Sequence, residues 1–209
     1  MQKWTEKRKE MVEQQIQARG ISDKKVLEAL LKIERHIFIP EGSLEEAYED
    51  YPVPIGCGQT VSQPYIVALM TELLQLSKND RVLEIGTGAG YQTAVLASLV
   101  KEVFTMEIIP ELASSAEKRL KEYGYHNIFF RCCDGHAGWK EHAPYEKICV
   151  TAAPAEIPSS LVEQLVVGGK MVIPIGTWTQ ELLLLEKQEH RVITKETIGV
   201  RFVPMVKGK

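Results

Sequence analysis

No apolar run in this chain approaches the ~20 residues that a membrane helix needs, so no membrane span is expected. Cysteine is scarce and poorly placed for metal. Cys57, Cys132, Cys133 and Cys149 form no C-x-x-C, no H-x-x-x-H accompanies them, and the adjacent pair cannot easily bridge. Neither a zinc site nor a disulfide framework is indicated, and Cys132 and Cys133 read as packing residues at a strand end. The chain also lacks a face of one charge. Net charge is -3, and cations alternate with acids, as in Glu6-Lys7-Arg8-Lys9-Glu10, which argues against nucleic acid as a partner. The opening MQKWTEKRKEMVEQQ has no apolar secretory core, so a cytoplasmic location is expected. Neither an internal repeat nor a low-complexity segment occurs, and 209 residues suit one α/β domain better than two.

What is present is concentrated between Arg81 and Glu107: RVLEIGTGAGYQTAVLASLVKEVFTME. Val82, Leu83 and Ile85 form a short apolar run of the kind buried on both faces of a parallel sheet. Gly86, Gly88 and Gly90 follow, then a helical pattern from Tyr91 to Val100, then a strand from Glu102 to Met106 that closes on Glu107. Such a unit places an acid on ribose hydroxyls. The spacing is not the G-x-G-x-x-G of a dinucleotide site, and Glu84 two residues before the first glycine would repel a pyrophosphate. That anion suits a ligand carrying an ammonium and a sulfonium, which describes S-adenosylmethionine. E-x-G-x-G-x-G resembles motif I of the Rossmann-like methyltransferases; a tight strand-to-helix turn without ligand is the alternative reading.

Around this unit, Trp4 to Ala18 and Asp23 to Glu34 read as two helices parted by Gly20, with Val26, Leu27, Leu30, Leu31 and Ile33 on the apolar face of the second. They form a helical cap. Tyr51 to Tyr65 reads as a loop entering a helix begun by Pro64. Strand and helix patterns then alternate: a helix from Pro110 to Lys121, a strand at Asn127 to Arg131, the Asp134-Gly135 turn, a strand at Lys147 to Thr151, a helix from Ser159 and a strand from Gly169 to Pro174. Glu181 to Lys187 and Arg191 to Val200 read as a closing antiparallel hairpin. The expected fold is therefore α/β: a doubly wound, mostly parallel, Rossmann-like sheet of about seven strands. Residues 1–79 would supply the cap and substrate loop, and 80–209 the cofactor-binding sheet and hairpin.

The likeness narrows further. Gly58-Gln59-Thr60-Val61-Ser62-Gln63-Pro64, the D-G-x-x-G-W turn at Asp134 to Trp139, Thr151-Ala152-Ala153-Pro154-Ala155-Glu156-Ile157-Pro158, Gln180 and Arg201-Phe202-Val203-Pro204-Met205 resemble the protein-L-isoaspartate O-methyltransferase family, bacterial type, from about Gly20 to the C-terminus. Cys57 and Glu146 depart from its pattern, and neither removes a group that the chemistry requires. The resemblance implies methyl transfer from S-adenosylmethionine, leaving S-adenosylhomocysteine, to the free α-carboxyl of L-isoaspartyl residues in proteins and peptides; a monomer is expected, and the cysteine spacing gives no metal.

It also implies contacts. Ser62 would hold the acceptor carboxylate, with Thr60 and Val61 beside it; cofactor contacts would fall on Gln59, Thr60, Val61, Glu84, Gly86, Thr87, Gly88, Gly90, Glu107, Asp134, Gly135 and Gln180. From spacing alone, Ser62 is equally a helix N-cap, and Asp134-Gly135 an ordinary turn. Arg201 to Met205 either line a peptide groove or form an edge strand. Among five histidines only His136 stands where it could approach an adenosine.

Overall fold

The computed structural model describes residues 2–208. Helix α1 (Gln2–Glu10) runs on as a wider π-helical turn (Met11–Ile16) and a 3-10 turn (Gln17–Arg19), and Gly20 stops it with φ +98°. Helix α2 (Lys24–Lys32) starts where the Asp23 carboxylate accepts the Lys25 amide at 2.8 Å. Val26, Leu30 and Ile33 are buried as the pattern expects, whereas Leu31 turns to solvent. Short 3-10 turns (Arg35–Phe38, Glu41–Glu46) complete the cap. Arg35 is fully buried there: its Nε donates to the Ala47 carbonyl at 2.7 Å, and its guanidinium lies 4.8 Å from the Tyr91 ring centre. Cap and cofactor helix thus share one interior.

The stretch expected as a plain loop contains a hairpin, β1 (Val53–Gly56) paired antiparallel with β2 (Gln59–Val61). Four residues including a proline show no clear alternation, so the strand is hidden while its turn is visible. Cys57 and Gly58 make the turn with φ of +52° and +70°. Both central residues of a tight hairpin turn need positive φ, which suits Asn-Gly far better than a cysteine. Cys57→Asn is expected to raise stability by about 0.5 kcal/mol; a lower melting temperature would contradict this.

Helix α3 (Pro64–Leu74) begins on Pro64 and packs on the main sheet. The sheet consists of β3 (Arg81–Ile85), β4 (Glu102–Glu107), β5 (Ile128–Cys132), β6 (Tyr145–Val150), β7 (Leu165–Ile175), β8 (Gln180–Lys187) and β9 (Val192–Val200). Their order is β5-β4-β3-β6-β7-β8-β9; the first five are parallel and the last two antiparallel. Helices α4 (Tyr91–Ala97), α5 (Pro110–Glu122) and α6 (Ser159–Glu163) join the parallel strands. The chain order reverses between β3 and β6, and open α/β sheets bind ligands beyond the strand ends at that point.

Alternation decides which face each β3 residue serves. Leu83 and Ile85 pack with Phe104, Met106, Ile148 and Met171 on one face. Val82 joins Val103, Val172 and residues of α3 and α4 on the other. Glu84, two residues from Val82, is carried to that second face.

Candidate active site

The turn after β3 is held by its neighbours. The amides of Gly86 and Thr87 donate to the Met106 carbonyl at 2.8 and 3.3 Å, and the Thr151 hydroxyl donates to the Gly86 carbonyl at 2.7 Å. Gly86 has φ +100°, and a Cβ there would lie 2.3 Å from Thr151 Oγ1. No other residue fits this approach. Glu107, 7% exposed, organises the opposite wall: Oε2 accepts the Gly88 amide at 2.8 Å, and Oε1 accepts the Ile108 and Ile109 amides at 2.9 and 3.0 Å. Oε2 keeps a lone pair for a further donor.

These groups enclose an open cleft of about 590 Å³, solvent-filled mouth included. Ile85, Gly86 and Gly88 form its floor, Met106 to Ile109 with Cys133 and Gly135 one wall, and Thr151 and Ala152 the other. Gln59 and Thr60 of the β1–β2 hairpin stand at the mouth. Val203 to Val206 lie over it. That tail is fixed by Ala153, whose amide donates to the Val203 carbonyl and whose carbonyl accepts the Met205 amide, both at 2.8 Å.

Of the residues expected from the sequence, Gln59, Thr60, Gly86, Gly88, Glu107 and Gly135 line this cleft. Val61 is buried opposite Val53 in the hairpin, and Gly90 packs toward Leu120. Ser62 follows the hairpin directly and is half-buried. Among the described residues its hydroxyl has no hydrogen-bond partner, and Gln63, not Ser62, occupies the N-cap of α3. Asp134 sits at the rim with its carboxylate engaged: Oδ1 accepts the His136 amide at 2.8 Å and meets His136 Nδ1 at 2.7 Å, while Oδ2 accepts the Gly208 amide at 2.9 Å. Burial pushes its carboxyl up, but those amides and the imidazole outweigh it and leave the group below the usual carboxylate value.

Three further expected cofactor contacts lie elsewhere. Glu84 is fully buried beneath the glycine turn, where its Oε2 accepts the hydroxyls of Thr93 and Thr105 at 2.6 Å each. Thr87 joins the same network through Thr105, at 2.6 Å. Strand alternation sends Glu84 away from the cleft, so it shapes the turn from below. Gln180 is outside the cleft: its Nε2 donates to the Phe202 carbonyl at 3.1 Å and its Oε1 accepts the Phe202 amide at 2.6 Å. A carboxamide with both ends on the backbone of one residue is a brace. The cleft also uses Thr151 and Ala152, which open the Thr151 to Pro158 segment, and Ile108, Ile109 and Cys133, whose sequence signal is a place just past a strand end. Of Arg201 to Met205, the last three do line the cleft.

A glycine turn after the first strand of a doubly wound sheet, with an acid closing the second, is a Rossmann-like nucleoside site, and the G-x-G-x-G spacing of that turn places it with the S-adenosylmethionine-dependent methyltransferases. The cleft fits that cofactor, since the close approach at Gly86 leaves backbone open to the ligand and Glu107 keeps acceptor capacity facing it. The model of the family "Protein-L-isoaspartate(D-aspartate) O-methyltransferase (PCMT)" matches residues 6–209, and the chain belongs to that family. It is 52% identical to the protein-L-isoaspartate O-methyltransferase of Picosynechococcus sp., covering 95% of this chain and 89% of that one. The Dictyoglomus turgidum enzyme of the same name is also 52% identical, covering 97% and 92%. Among solved structures, a Plasmodium falciparum chain described as a protein-L-isoaspartate O-methyltransferase, in complex with S-adenosyl-L-homocysteine, superposes with a TM-score of 0.84 at 27% identity, covering 96% of this chain and 99% of that one.

Proposed function

We propose that this chain carries out protein repair by methylating the free α-carboxylate of L-isoaspartyl residues, with Ser62 holding the acceptor. The supporting observation is the uncommitted Ser62 hydroxyl, two residues from Thr60 at the mouth of the cleft. Bound there, S-adenosylmethionine supplies an electrophilic methyl group on a sulfonium. Glu107 would take a ribose hydroxyl on the remaining lone pair of Oε2, Gly135 and the Asp134 turn would border the adenine, and the glycine turn would lie along the methionine part.

The acceptor needs no general base. A carboxylate with a reference pKa of about 4 is ionised at neutral pH, so what this site contributes is in-line placement and exclusion of water. The Ser62 hydroxyl donates to one acceptor oxygen, leaving the other to attack. The tail from Val203 to Val206 lines the same cleft. The ester formed closes to a succinimide without further catalysis, and hydrolysis returns some normal aspartate. A single apolar cluster joins cap residues such as Val12 and Phe38 to Val95 and Leu120, so we take the whole chain as one working unit. Among the described residues no helix is long and apolar enough to cross a membrane.

Ser62→Ala tests the assignment. Turnover on an isoaspartyl peptide is expected to fall about 10- to 100-fold, as on removal of one positioned donor, while cofactor affinity and melting temperature hold because no cap bond is lost. A stable variant with unchanged turnover would refute the role.

A further inference from the structure

Trp178 is the one residue among the exposed large apolar side chains with no shielding at all, at 101% relative exposure, against 64% or less for Val167, Tyr123, Val206 and the others. A solitary exposed side chain is ordinary by itself. Its mounting is not. Trp178 sits on the turn from β7 to β8, at the same edge of the sheet as the cleft, and both feet of that turn are tied to segments that wall the cleft. At one foot the Gly176 amide donates to the Pro154 carbonyl at 3.1 Å, two residues beyond Ala152. At the other, Gln180 clasps both backbone groups of Phe202, next to Val203 over the cleft. The turn is also locked internally, because Gly176 has φ +123° and a Cβ there would strike the Thr179 carbonyl.

We propose that Trp178 is a substrate-docking residue: its indole receives an apolar side chain of the isoaspartyl-bearing polypeptide while the damaged residue occupies the cleft. This rests on the reading given above, in which the acceptor is part of a protein or peptide. Along the chain from Ala152 through Pro154 and Gly176, the indole is within about 20 Å of the cleft wall, the span of about six extended residues. An exposed amphipathic ring with only two side-chain torsions, carried on a braced backbone turn, is a common anchor of a polypeptide contact. The brace at Gln180 then acquires a purpose, since it fixes the anchor relative to the tail over the cleft.

The test uses Trp178→Ala and Trp178→Phe with two isoaspartyl peptides, one of about four residues and one extended by about six residues carrying apolar side chains. In Trp178→Ala, KM for the long peptide is expected to rise about tenfold, the effect of losing one aromatic anchor, while its kcat and the KM for S-adenosylmethionine stay within twofold. The short peptide, which lacks the apolar side chains that would meet the indole, should show less than a twofold change in KM, and Trp178→Phe should recover most of the loss. In the unaltered chain, saturating long peptide should shift tryptophan emission to the blue, and Trp178→Ala should remove the shift. An unchanged KM for the long peptide in Trp178→Ala overturns the proposal alone. No transfer to either peptide by the unaltered chain overturns the functional reading, and this inference with it.

Discussion

Glu107→Gln is expected to weaken S-adenosylhomocysteine binding about a hundredfold, and calorimetry would measure it directly. The magnitude follows from how the carboxylate is used. Both oxygens already accept backbone amides, Oε2 from Gly88 and Oε1 from Ile108 and Ile109. Whichever way a carboxamide is turned, its NH2 group faces one of those amides, donor against donor. The variant therefore loses a charge-assisted acceptor for the ribose and also loosens the glycine turn and the wall beyond β4. Two charged hydrogen bonds at about 1.5 kcal/mol each give the expected factor. Equal affinity in the variant would show that Glu107 is only a strand-end acid.

Glu84→Gln is expected to change how stability depends on pH. Burial pushes the Glu84 carboxyl up from 4.5 to about 7, against the opposing effect of the Thr105 and Thr93 hydroxyls, with Glu107 adding a smaller upward push. Its Oε1 is buried with no partner, and Cys149 stands beside it on β6. Below pH 4.5 folded and unfolded chains both hold the proton. Between 4.5 and 7 the unfolded chain releases it first, so this group's contribution to stability falls as pH rises, by about 3 kcal/mol once pH exceeds 7. Glutamine cannot ionise, and its carbonyl still accepts the two hydroxyls. Urea unfolding at pH 5 and pH 8 should show the variant gaining on the parent by about that amount. Parallel pH profiles for the two proteins would contradict the upward shift of the buried Glu84 carboxyl.

The buried strands and the glycine turn are legible in the sequence because parallel strands covered on both faces need continuous apolar runs, and only glycine tolerates the approach seen at Gly86. Sheet order in its closing part is legible for a different reason: the change from α/β alternation to two extended runs after Gly176 has no room for crossover helices. What the residues do not reveal is direction. Glu84 lies in the glycine motif, yet strand alternation turns its carboxylate beneath the motif. Gln180 follows a turn at the correct edge, yet its amide is consumed by Phe202, a contact 22 residues away that no local pattern records. The β1–β2 hairpin is hidden by its brevity and by Pro54. The tail over the cleft is held by backbone bonds to Ala153, which any sequence can make.

The most direct measurement is transfer of labelled methyl from S-adenosylmethionine to a synthetic peptide containing L-isoaspartate, with the matched L-aspartate peptide alongside. Base-labile label on the isoaspartyl peptide alone is the predicted result. Label on both peptides, or on neither while cofactor binding is intact, would contradict isoaspartyl repair as the work of this cleft.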